Sequence, residues 1–240
     1  MRFASLTGIL PDFQRIKNPC AHKAVLAARR AGAILPVDCF FPEPRNPTMK
    51  NLAHFFFEVG MLKRTPRTGF QFLGSGAESV AEHSFRATVI GYTLAMLDGQ
   101  ADVGRVVQLC LFHDIPEART GDLNYVNKKY VKTDEIRAVD DLAKTLPFGD
   151  AYRETMAEFE ARESRESLLA HDADQLEMIL ALKEYKDLGN RYADEWYPFA
   201  VRRLKTELAR ELAETIWNTD STRWWFDGDE HWWVNGKREK

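Results

Sequence analysis

The chain has 240 residues, of which 45% are hydrophobic and 29% charged, with a net charge of −3. This is globular composition with enough chain for one sizeable core, and the near-neutral balance excludes a general attraction to nucleic acid or to an anionic membrane surface. No apolar run approaches the ~20 residues of a membrane span, and Cys20, Cys39 and Cys110 form no CxxC pair, which points to a reducing, cytoplasmic setting and leaves His, Asp and Glu to hold any metal.

Residues 1–48 differ in character from the rest of the chain. The first 37 residues carry six basic side chains (Arg2, Arg15, Lys17, Lys23, Arg29, Arg30) and one acid, Asp12. A short Ala-rich helix is expected from Ala21 to Ala31, ended by Gly32. Pro36, Pro42, Pro44 and Pro47 then mark an irregular linker. Three readings stand: an ordered appendage, a targeting segment that is basic and acid-poor though not Ser-rich, or sequence upstream of a true start at Met49. The first and third are favoured, because nothing in this stretch carries chemistry.

Asn51 to Leu62 (NLAHFFFEVGML) reads as a buried helix. It delivers Lys63, Arg64 and Arg67 into a turn marked by Pro66 and Gly69, and three cations so close together can hold a phosphate or simply face solvent. Gly74 to Ala77 form a loop, and Glu78 or Ser79 caps a helix from Val80 to Leu97. On that helix Val80, His83, Ala87, Ile90 and Leu94 share one face, so His83 points inward.

Asp102 caps the next helix. Its stripe of Val103, Val106, Val107 and Cys110 continues onto His113 and Asp114. An imidazole and a carboxylate at the inner edge of a helix are costly to bury unless paired or bound to a metal. Pro116 opens a short helix, Glu117 lies one turn from the pair, and Gly121-Asp122 closes the segment. Asn124 to Thr133 is expected to be a mobile basic loop, and the helices Asp134–Leu146 and Asp150–Arg162 to be solvated.

Ser164 to Leu188 is apolar almost all round and therefore buried, yet its middle holds His171, Asp172, Asp174 and Glu177. Buried carboxylates need a cation or hydrogen-bond donors, and periodicity does not choose between Asp172 and Asp174. Glu195 to Trp217 reads as one long amphipathic helix, with Pro198 in its first turn and a stripe suited to packing on the domain or on a second copy. The tail carries Trp224, Trp225, Trp232 and Trp233.

Three helices thus direct His83, His113 with Asp114, and an Asp at 172 or 174 toward a common interior. Two imidazoles and two carboxylates suit one borderline or hard divalent ion with water positions left over. The order H…HD…D resembles the HD-domain metal-dependent phosphohydrolases. The stretches ESVAEHSFR (78–86), HDIPEARTGD (113–122) and DQLEM (174–178), preceded by LKRTPRTGF (62–70), resemble the 5′-deoxynucleotidase branch of that superfamily.

The resemblance implies an all-α fold, an HD-domain helical bundle with a buried divalent-metal site. Its expected extents are an N-terminal extension over 1–48, a phosphohydrolase domain over 49–218 and a Trp-rich tail over 219–240. It implies His83, His113, Asp114 and Asp174 as ligands of one divalent ion (Mn, Co, Mg, Zn or Fe), with Asp174 chosen over Asp172 by the DQxEM context. It implies Glu117 beside the attacking water, Asp122 near the sugar and the scissile ester, and Arg64 on the phosphate. Lys63 and Arg67 join Arg64 as substrate-binding candidates. Arg67 is expected chiefly as a support, as are Glu78 and Arg86. Thr65 stands where a bacterial subgroup has a Trp that discriminates the sugar, so the choice between deoxyribose and ribose stays open.

The expected reaction is metal-dependent hydrolysis of (deoxy)nucleoside 5′-monophosphates by a cytoplasmic homodimer with no stable nucleic-acid partner and no membrane association. The alternatives are another HD-type hydrolase acting on triphosphates, cyclic nucleotides or alarmones, and a non-catalytic metal-binding module. HD-GYP enzymes would place HDxGK where this chain has HDIPE.

Overall fold

The computed structural model describes residues 46–226, 228 and 230–236. The expected Ala21–Ala31 helix and the Pro-rich stretch as far as Pro44 lie outside the described residues. The unit Asn51–Lys240 holds every element below except the first turn of α1.

The elements are helical, as the all-α expectation requires. They run α1 (Pro47–Val59), α2 (Val80–Asp98), α3 (Val103–Phe112), α4 (Glu117–Thr120), α5 (Asn127–Tyr130), α6 (Glu135–Ala143), α7 (Gly149–Ala161), α8 (Arg165–Asp187), α9 (Ala193–Val201), α10 (Glu207–Asn218) and α11 (Glu230–Asn235). Short 3-10 turns at Gly60–Lys63 and Thr68–Phe72 join α1 to α2. No strand occurs among the described residues, and the one isolated bridge among them pairs Pro66 with Ser79.

Local chemistry sets the helix starts. Ser79 caps α2 in a full capping box: its side chain accepts from Glu82 N–H, while the Glu82 carboxylate accepts from Ser79 N–H at 2.7 Å. Asp102 caps α3, Asp134 caps α6 and Ser164 caps α8 through their side-chain oxygens. The helix α8 is the central pillar, packed against α2, α3, α7, α9 and α10. Leu94, Val106, Leu109, Leu169, Leu176 and Ile179 form the main core around it. At the crossing of α2 and α3, a Cβ on Gly91 would stand 2.4 Å from Cys110 Sγ, so only glycine admits this approach.

Four expectations change. Of the aromatic run on α1 only Phe55 is buried, while Phe56 and Phe57 face out, because successive helical residues lie 100° apart and cannot share a face. The charged helices α6 and α7 are half core: Leu142, Ala143, Tyr152 and Met156 build a second cluster with Phe55, Val80 and Ile115. The segment after Asp122 is not loop throughout: buried Asn124 accepts from Val126 N–H and Asn127 N–H in the turn that leads into α5. The long C-terminal helix is broken.

The break lies between α9 and α10 and has a buried cause. Asp172, wholly inaccessible, accepts from Lys205 N–H (2.7 Å), Thr206 N–H (2.8 Å) and the Thr206 hydroxyl (2.6 Å). Those donors are available only if the chain leaves the helix there. Thr206 in turn caps α10 by accepting from Ala209 N–H. Because α9 starts at Ala193, two residues before the expected Glu195, Pro198 sits inside it and not in its first turn. The α10 stripe packs inward, with Ala209 and Ala213 buried and Leu208, Leu212 and Ile216 against the main core.

Candidate metal centre

The first ligand candidate comes from the first turn of α2. Val80, His83, Ala87 and Leu94 are all inaccessible, as a single inward face requires. His83 Nδ1–H donates to Glu177 Oε2 on α8 (2.6 Å). That bond fixes the tautomer and turns Nε2 toward the interior. There Nε2 lies 3.1 Å from Asp174 Oδ1 and 3.4 Å from Asp114 Oδ2.

The second pair comes from the end of α3. His113 closes that helix, and its Nδ1–H donates to the Cys110 carbonyl (2.7 Å). Its Nε2 faces the same point, 3.2 Å from Asp114 Oδ2. The two imidazoles stand edge to face with centroids 5.5 Å apart. Ligand atoms of His83, His113 and Asp174 fall within 4.8 Å of one another. Periodicity left Asp172 and Asp174 open; the structure turns Asp172 to the α9–α10 corner and Asp174 to the cluster.

Support comes from behind. Glu177 is wholly buried, and its second oxygen accepts from Arg86 Nε (2.9 Å) and Nη2 (2.7 Å). Burial works against its charge, but the hydrogen bond from His83 and the Arg86 guanidinium hold the carboxyl below its usual range. Arg86 also binds Glu184 (2.7 Å), with Glu78 3.7 Å away. Glu177 was legible as a buried charge without a role; this chain of contacts supplies one. His171, of the second His-Asp dipeptide, points elsewhere, with Nε2 at the Phe159 carbonyl (2.8 Å) and its ring stacked on Phe159.

In front of the cluster lies a cavity of about 210 Å³, whose polar wall includes Arg67, Asp114, Glu117, Asp122 and Asp174. Glu117 opens α4, one turn beyond the His113-Asp114 pair. Burial, with Asp114 and Asp122 nearby, pushes its carboxyl up to about 9. Gly121, at φ 72°, lets the chain turn sharply so that Asp122 returns to the cavity. Asp122 accepts from Thr68 N–H (2.7 Å), and its carbonyl accepts from the Thr68 hydroxyl (2.8 Å).

The basic candidates separate. Arg67 lines the cavity, with Nη1 3.7 Å from Asp114 Oδ2, and its backbone N–H donates to the Glu78 carbonyl. Lys63 and Arg64 are exposed and do not line it. Arg64 ends the Gly60–Lys63 turn, and its guanidinium folds back 3.8 Å from the Met61 sulfur. Of the three cations only Arg67 is in place to meet an anion bound in this cavity.

The donor set fits a divalent cation. His83 Nε2, His113 Nε2, Asp114 Oδ2 and Glu117 Oε2 are buried without an aligned hydrogen-bond partner. Burial and Arg67 oppose a charge on His83, yet Asp174, Glu177 and Asp114 outweigh them and push its pKa up to about 10. The surrounding carboxylates draw positive charge to this spot. Imidazole nitrogens and carboxylate oxygens with outer partners on each ring are the chemistry of a bound transition or hard divalent ion.

Known proteins bear this out at the level of family. The HD-domain profile matches residues 59–217. The 5′-deoxynucleotidase HDDC2 of Bos taurus is 34% identical over 148 residues, covering 59% of this chain and 71% of that protein. A 5′-deoxynucleotidase of Saccharomyces cerevisiae is 29% identical over 177 residues, covering 69% and 73%. Among solved structures, one described as a predicted metal-dependent phosphohydrolase from Magnetospirillum magnetotacticum MS-1 matches with TM-score 0.55 and 26% identity over 71% of this chain and 96% of that one. A Pyrococcus horikoshii OT3 protein matches with TM-score 0.59 and 28% identity over 69% and 98%. The chain belongs to the HD-domain family and resembles its 5′-deoxynucleotidase branch.

Proposed function

We propose that this protein is a metal-dependent phosphomonoesterase that hydrolyses deoxynucleoside 5′-monophosphates to nucleoside and phosphate. The observation that carries it is the joining of a four-donor cluster (His83, His113, Asp114, Asp174) to a cavity lined by Glu117, Asp122 and Arg67. A structural ion needs the first set and not the second. The relatives named 5′-deoxynucleotidase select the substrate class.

In this reading the four donors hold one divalent ion, Mn, Co, Mg, Zn or Fe. Such an ion acidifies bound water and draws charge from a phosphoryl oxygen. The protein's own groups do the rest. Arg67 contacts the phosphate and offsets its charge. Glu117, ionised once a bound cation offsets the charge of Asp114 and Asp122, orients the attacking water or takes its proton as the new P–O bond forms. Asp122, held by Thr68, positions the 5′-oxygen, which leaves with the electron pair of the breaking P–O bond and takes up the proton given up by the attacking water. Residues 49–218 carry this chemistry, with 1–48 and 219–240 outside it.

The same reading takes the protein as a cytoplasmic homodimer. No helix among the described residues is long and apolar enough to cross a membrane. With the α10 stripe used internally, the exposed stripe Phe85, Val89, Tyr92 and Met96 on α2 offers an apolar face to a second copy. Light scattering that returns a monomer would remove this part alone.

The test is phosphate release from a panel of deoxy- and ribonucleoside 5′-monophosphates. Metal-stripped protein is given each of the five metals, with His113→Ala as control. Metal-dependent release that is lost in the control supports the reading and shows how Thr65 bears on sugar choice. Nucleoside 5′-triphosphates are offered in parallel: pyrophosphate or triphosphate from these, with no phosphate from the monophosphates, would move the protein to the triphosphate hydrolases, and no release from either with any metal would overturn the enzyme.

A further inference from the structure

The cavity wall is not polar throughout. Away from the metal donors its wall passes to Tyr125, Met178, Trp196 and Arg203. The same four residues continue into an adjoining groove of about 430 Å³, completed by Glu195, Phe199 and Ala200. The chemistry above uses none of them. The groove is an extension of the site itself, aromatic and apolar apart from Glu195 and Arg203.

Its parts are fixed in place. The Arg203 guanidinium lies over the Tyr125 ring, 5.0 Å from its centroid, and its Nη1 donates to Gln175 Oε1 (3.2 Å). Gln175 Nε2 donates to Asp174 Oδ2 (2.8 Å). One line of contacts thus runs from a metal-site carboxylate to the aromatic groove. Tyr125 follows buried Asn124, whose side chain holds the turn, yet Tyr125 itself is 51% exposed. An aromatic ring carried on an anchored turn at the edge of a polar cavity is presented to a ligand.

We infer that this groove is the subsite for the substrate's nucleobase, with the base stacked against Tyr125, bordered by Trp196 and Met178, and Arg203 fixing its edge. The inference rests on the nucleotidase reading and adds to it the residues that recognise the non-reacting end. A nucleoside 5′-monophosphate is a dianion and a flat ring held apart by a sugar. The cavity has the same polarity: donors and Arg67 at one end, aromatic surface at the other. A phosphomonoester without a flat ring leaves the groove unused.

The test compares kcat/KM for 2′-deoxyadenosine 5′-monophosphate and for 2-deoxyribose 5-phosphate, which lacks the base. Metal-loaded wild type, Tyr125→Ala, Tyr125→Phe and Arg203→Ala are measured side by side. Wild type should prefer the nucleotide. Tyr125→Ala should lose roughly tenfold or more on the nucleotide, mostly in KM, as expected when a base loses its aromatic partner. It should act normally on the sugar phosphate, and Tyr125→Phe should keep the preference. Equal losses on both substrates, or no loss on either, would overturn the subsite while leaving the phosphatase standing. So would equal efficiency on the two substrates in wild type. Release from neither by wild type would bring down the nucleotidase reading and the subsite with it. Tyr125 is half exposed, so its Ala variant remains a test if Arg203→Ala fails to fold.

Discussion

Glu177 Oε2 sits 2.6 Å from His83 Nδ1, and this contact decides which nitrogen of the ring faces the cavity. Its other oxygen is committed to Arg86. Glu177→Ala should therefore weaken metal binding about 10- to 100-fold, the usual cost of losing such a partner behind a ligating His. A competition titration against a chelating dye measures it. Affinity equal to wild type would mean that His83 needs no help to orient.

Glu117→Ala separates holding the ion from using it. Glu117 lies beside the donor cluster without being one of its four members, so metal content by plasma emission should stay near wild type. Turnover should fall by about 10²–10⁴-fold. Wild-type-like rates in this variant would remove Glu117 from the reaction.

Arg67 and Arg64 make a paired test. Arg67→Ala removes a cation from the cavity, at about 1.5–3 kcal/mol for a charge-assisted contact, or roughly 10- to 150-fold in kcat/KM. Arg64 is exposed and outside the cavity, so Arg64→Ala should change kcat/KM by no more than about twofold, the small effect usual for an exposed side chain. The reverse order would mean that the guanidinium of Arg64 swings in when substrate binds. Metal content must be followed too, because Arg67 also faces Asp114.

Asp172→Ala should damage stability and spare chemistry. It strips an acceptor from Lys205 N–H, Thr206 N–H and the Thr206 hydroxyl, all at the corner between α9 and α10. A loss of about 3 kcal/mol is expected, or on the order of 10 °C in the thermal midpoint. Phosphate release per folded molecule should be unchanged. An equal fall in metal affinity would show that the corner and the metal site are coupled.

Much of the site was readable in the sequence because helices repeat. His83 shares a face with Val80, Ala87 and Leu94, and the stripe of α3 runs on to His113 and Asp114, so periodicity alone aimed these groups inward. It could not separate Asp172 from Asp174, because on a helix buried all round both directions are interior. Nor could it show the break after Val201. Leu204, Leu208 and Leu212 keep helical spacing across it, and the cause is an acceptor about 30 residues earlier in the chain. Arg64 and Arg67 lie on a turn, where there is no period to say which cation faces the cavity.

The crossing at Gly91 has a consequence for anyone mapping this protein by substitution. Gly91 carries no functional group and lies two helical turns from His83. Yet a methyl there would collide with Cys110, whose carbonyl holds the His113 ring. A saturation scan read without the structure would mark position 91 as an active-site residue. It is a spacer instead: the missing side chain sets how near the two imidazole-bearing helices come, and so the bite of the donors.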